Sequence, residues 1–131
     1  MQKFKIILSV LLLLSISVSC TIFKKYLPGD KIYFCEKVEN DNEVGEGKTF
    51  PPGNISVMIR LSKPIGVSAV DLTIVDMNTG SVIQSLPFSV QSDWSDIHFD
   101  DINFKDPGKY KVSCLKKDGT LIISGNVEIE K

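Results

Sequence analysis

A chain of 131 residues has room for about one domain. Its 43% hydrophobic and 24% charged residues suit a folded core and argue against long disorder. With 15 basic against 16 acidic residues, it lacks the polybasic footprint that nucleic acid or an anionic membrane surface would call for.

The chain opens on a short basic segment with Lys3 and Lys5, followed by an apolar run from Ile6 to Val18 broken only by Ser9, Ser15 and Ser17. A membrane-spanning helix needs about 20 apolar residues. The shorter run here predicts the helical core of a secretory leader, which is removed from the mature protein. The next residues, Ser17-Val18-Ser19-Cys20, resemble the lipobox of bacterial lipoproteins, in which small residues precede a cysteine that is diacylated and becomes the mature N-terminus. Ser17 stands where that family usually has Leu. The resemblance implies lipidation of Cys20 and a cell-envelope location, anchored to a bacterial membrane and facing away from the cytoplasm. Ordinary cleavage after Ser19 would instead release a soluble secreted protein. The chain thus divides into a leader (residues 1–19), a lipidated N-terminus with a short tether (20–29) and one folded domain (30–131). The mature part keeps 13 basic against 16 acidic residues, about −3.

If Cys20 carries lipid, Cys35 and Cys114 remain as an even pair in an oxidising compartment, and a disulfide is the natural use. Closing a loop of about 80 residues would contribute ~4 kcal/mol in the chain-entropy picture. The alternative is two separate buried thiols, which behave as small hydrophobes.

Downstream, Ile55, Val57, Ile59 and Leu61 alternate with Ser56, Met58, Arg60 and Ser62, the period of a strand with one face buried. Val70, Leu72 and Ile74 repeat the pattern, as do Leu86, Phe88 and Val90. Leu121, Ile123, Val127 and Ile129 share one predicted face of the last segment. Turn signals separate these runs at Pro51 to Asn54, Asn78 to Gly80, Asp106 to Gly108 and Asp118-Gly119. Asp118-Gly119 predicts a hairpin whose two central residues both take positive φ. Gly45 to Thr49 lacks the upstream glycine of a phosphate-binding loop and reads as a flexible connection. About seven short strands and almost no mature helix predict an all-β, antiparallel two-sheet sandwich.

Phe104-Lys105-Asp106-Pro107-Gly108-Lys109-Tyr110-Lys111-Val112-Ser113-Cys114 is similar to the start of strand F in immunoglobulin-like domains, where a tyrosine corner turns the chain. The resemblance implies an immunoglobulin-like β-sandwich with Asp106, Gly108 and Tyr110 in that structural role. It departs from antibody domains in two ways. Cys114 follows the tyrosine by four residues instead of two, and Trp94 lies late in a loop.

No catalytic constellation stands out. His98 is the single histidine, alternates with Ile97 and Phe99, and reads as an outward strand residue. The acids at 93, 96, 100, 101 and 106 could suggest a weak calcium site around Asp96 to Asp101, but their spacing matches no EF-hand loop and a solvated acidic face explains them. No metal or other cofactor is implied. Of the aromatics placed to reach a surface (Trp94, Phe50 and Tyr33), Trp94 is the candidate interface residue. Two function classes follow: a lipid-anchored, non-catalytic binding or adhesion module that meets protein or glycan at the envelope, or a structural or accessory lipoprotein subunit of an envelope complex.

Overall fold

The computed structural model describes residues 29–131. The leader helix, Cys20 and the tether up to Pro28 lie outside them. Ten strands follow in order: β1 (Lys31–Cys35), β2 (Lys37–Glu39), β3 (Asn42–Val44), β4 (Thr49–Phe50), β5 (Gly53–Arg60), β6 (Ala69–Asp76), β7 (Val82–Ser89), β8 (Asp96–Phe104), β9 (Gly108–Lys116) and β10 (Leu121–Ile129). They form a three-stranded sheet, β1-β5-β8, a five-stranded sheet, β4-β10-β9-β6-β7, and the two-stranded hairpin β2-β3. Set aside the three shortest strands, and seven remain.

The two larger sheets make an immunoglobulin-like sandwich, and their alternation explains the core. Ile55, Val57 and Ile59 of β5, Val70, Leu72 and Ile74 of β6, and Tyr110, Val112 and Cys114 of β9 meet in one buried cluster. Successive side chains of a strand face opposite ways, so each strand gives alternate residues to it. In β8 the inward residues are Ile97, Phe99, Ile102 and Phe104. The jump from 99 to 102 is a bulge: Asp100 and Asp101 together face the single Ser56, and Asp101 takes φ 57°.

Three local expectations change. The hairpin at Asp118-Gly119 exists, but among its loop residues only Gly119 takes positive φ. Its amide bonds to the Lys116 carbonyl while the Lys116 amide bonds to Thr120, the pattern of a three-residue loop. In β10 a register shift between Leu121 and Ile123 turns Leu121 to the outer face opposite Leu115, 36% exposed, while Ile123, Val127 and Ile129 stay inside. The segment Gly45 to Thr49 is no loose connection. Gly47 bonds to Phe34, Glu128 bonds to Lys48, and β4 pairs in parallel with β10. The first strand region therefore crosses from one sheet to the other and closes that side of the sandwich. The sheets approach closely there, and a Cβ on Gly125 would lie 2.6 Å from Ile32 Cγ2.

The opposite side, between β8 and β7, is where each large sheet ends. Its lower half is bridged by Gln84 Nε2 donating to the Asn103 carbonyl at 2.7 Å. The upper half holds the site described next.

Candidate functional site

The outer face of β1-β5-β8 is polar where the inner face is dry. Opposite Phe34 and Val57, which are buried in the core, Tyr33, Cys35, Ser56, Met58 and Arg60 point outward, because the register sets Tyr33 against Met58 and Cys35 against Ser56. The β2-β3 hairpin folds over this face. Its turn residues Asn40 and Asp41 both take left-handed φ, 50° and 62°, as a two-residue type I′ turn requires. Tyr33 Oη donates to Glu43 of the hairpin. Arg60 reaches Glu43 at 3.8 Å and Asp96 at 3.3 Å, and its guanidinium lies 5.8 Å from the Tyr33 ring centroid. The Tyr33 hydroxyl is held far above its ordinary range, at about 12, by burial first and then by the hydrogen bond to Glu43 and its charge.

A groove of about 540 Å³ runs from beneath the hairpin tip over the edge of β8 to β7. It touches the consecutive residues Asp96, Ile97, His98 and Phe99 of β8, and Phe88 and Ser89 of β7. Because neighbouring side chains leave a strand on opposite faces, a cavity touching a consecutive run looks onto the strand's edge. Phe88 and Phe99 pack across its floor with ring centroids 4.7 Å apart. Trp94 forms one wall. Its carbonyl accepts from Ile65 at 2.7 Å and its amide donates to Gln91 at 3.0 Å, so its backbone is fixed on both sides. The indole stays 40% exposed. The fixed backbone holds this half-open aromatic at the mouth of the groove. Asp41, Glu43 and Asp96 line the rim together with Arg60 and His98.

The other residues singled out from sequence fall elsewhere. Phe50 is a core residue, 4% exposed. Tyr110 Oη donates to the Asp106 carbonyl at 2.7 Å, and Gly108 packs bare against the Tyr110 ring. His98 lies outward between buried Ile97 and Phe99, with Nδ1 3.1 Å from Asp100, which also accepts from Ser56 Oγ at 2.9 Å. Among the described residues, no three His, Cys, Asp or Glu side chains are grouped to hold a metal ion, and no helix is long and apolar enough to cross a membrane.

The bridge expected between Cys35 and Cys114 is not formed; both are free, buried thiols. Cys35 shares the outer face with Tyr33 and Ser56, and its Sγ lies 3.4 Å from the Lys37 carbonyl. Cys114 belongs to the inner cluster. The three-stranded sheet itself stands between them. Burial pushes both thiols up, Cys114 to about 12.

Sequence pattern missed the hairpin, because strands of three residues with a single valine each are too short to show a period. The pair Asn40-Asp41 between Lys37-Val38-Glu39 and Asn42-Glu43-Val44 was its one signal.

No family model matches the chain, and no curated protein matches it. Among solved structures it is similar to the crystal structure of an endonuclease/exonuclease/phosphatase from Beutenbergia cavernae, at 18% identity and a TM-score of 0.32, over 59% of this chain and 21% of that one. The chain spans about a fifth of that protein, and a likeness of this size carries no argument about activity.

Proposed function

We propose that this protein is a lipid-anchored, non-catalytic binding module of a bacterial cell envelope, with the groove along β8 as its ligand site. The supporting observation is the groove itself: a 40% exposed Trp94 beside an aromatic floor of Phe88 and Phe99, on the open side of an otherwise closed sandwich. Concave, mainly apolar sites with a few placed polar groups are the usual form of a binding site. The leader and Cys20 supply the anchor, since two or more acyl chains hold a protein stably at a membrane.

The test has two arms. In a bacterial host, the native protein should fractionate with membranes, and Cys20→Ser should release it; an unacylated native protein overturns the anchor. A photoreactive phenylalanine analogue at position 94 should give discrete cross-linked species in intact cells, against none from exposed Lys111 on β9. Equal yields from both positions overturn the groove as the ligand site.

A further inference from the structure

We infer that the groove takes an extended peptide segment that adds to the free edge of β8 and carries lysine or arginine at alternate positions. This inference rests on the groove being the ligand site.

The backbone of β8 is set for such an addition. Leu61 donates to the Ser95 carbonyl at 2.8 Å, which fixes the pairs Leu61 with Ser95, Ile59 with Ile97 and Val57 with Phe99 as the hydrogen-bonded ones. The intervening pairs, Arg60 with Asp96 and Met58 with His98, are then the non-hydrogen-bonded ones. The N–H and C=O groups of Asp96 and His98 therefore point away from β5, toward the groove. An incoming strand can exchange bonds with them, as peptides do when they extend a sheet.

The competing edge is blunted. Val90 donates to the Ser68 carbonyl at 2.9 Å, so Pro87, opposite Asp71, falls in a non-hydrogen-bonded pair with its nitrogen on the free side. A proline there offers no donor to a newcomer. The edge strand β8 carries no proline between Asp96 and Phe104.

Charge then selects the side chains. Residues directly opposite in a ladder share a face, so peptide residues set against Asp96 and His98 point to the outer face. There they meet the rim of Asp41, Glu43 and Asp96, whose guanidinium partner, Arg60, is already engaged by Glu43 and Asp96, and whose neighbour His98 faces Asp100. A lysine or arginine meets unneutralised carboxylate there, with Trp94 within the same groove for a cation–π contact. The alternate peptide residues turn to the floor of Phe88 and Phe99 and call for small apolar side chains.

The single tryptophan of the chain is the reporter. Three peptides are titrated into the full-length protein while Trp94 emission and heat are followed: acetyl-Lys-Val-Lys-Val-Lys-amide, its Glu-Val-Glu-Val-Glu counterpart, and the lysine peptide N-methylated at its central lysine. The lysine peptide should shift the emission saturably, and each control should bind at least ten-fold more weakly. Asp41→Asn, which suits the φ of 62° at that position, should weaken the lysine peptide about three-fold at unchanged melting temperature. Equal binding of the glutamate peptide overturns the charge selection, and equal binding of the N-methylated peptide overturns the strand addition. Absence of any shift overturns the whole inference, while cross-linking at position 94 decides the site independently.

Discussion

Cys35 and Cys114 are both fully buried, 0% exposed, yet they are buried by different means. Cys114 sits in register with Leu72 and Ile123 inside the sandwich, where the cover is two whole sheets. Cys35 lies on the outer face of β1, below a hairpin clasped by the Tyr33 hydroxyl and by Arg60 to Glu43. The first can reach solvent only when the domain unfolds. The second needs only the hairpin to lift, a local opening of much smaller free energy. The contrast also places function. The face under the clasp is the one that continues into the groove, so the hairpin that covers Cys35 also borders the proposed ligand site.

The largest effect that sharpens this contrast is in the core. Leu72→Ala removes a fully buried side chain next to Cys114, and should cost about 2–5 kcal/mol. Urea denaturation should show it, with both cysteines becoming reactive in the same transition. If Cys114 became reactive well before the fold was lost, the two kinds of burial would not be distinct.

A smaller effect isolates the clasp. Tyr33→Phe deletes the donor to Glu43 and should cost less than about 1.5 kcal/mol, the usual worth of one such bond. Under native conditions it should speed alkylation of Cys35 several-fold and leave Cys114 protected, with the labelled sites identified by peptide mass. Equal acceleration at both thiols would mean that Tyr33 supports the whole domain.

These residues also show what was legible in the sequence. Alternation at 55 to 61 and at 70 to 74 placed β5 and β6, because one face of each meets a continuous core. In β8 the alternation was legible only across Ile97, His98 and Phe99; the step from Phe99 to Ile102 that marks the bulge emerges only in the structure. The bulge in β10 had no such mark: Leu121, Ile122 and Ile123 are all apolar, so composition could not say which one turns outward. Cysteine parity suggested a bridge because it counts thiols without asking which face they occupy. The adjacent Phe34 and Cys35 carry that information, since two neighbours on a strand cannot both face the core. Trp94 was legible as a surface aromatic, but its groove was not. Phe88, Phe99 and the acids at 41, 43 and 96 come from three segments that only the sandwich and its hairpin bring together.

The finest test of the clasp is its pH dependence. Tyr33 ionises at about 12 in the folded protein, against 10.0 for an ordinary tyrosine, because burial and the bond to Glu43 both favour the protonated hydroxyl. A folded value above the unfolded one means that the contribution is fully present below pH 10 and is lost as the pH rises through about 12. The stability gap between the native protein and Tyr33→Phe should therefore be constant up to pH 10 and close between pH 10 and 12. Absorbance at 295 nm should place the Tyr33 ionisation in the same interval. A gap that persists unchanged at pH 12 would separate the hydroxyl from the clasp and leave Arg60 and the hairpin's own type I′ turn to hold it down.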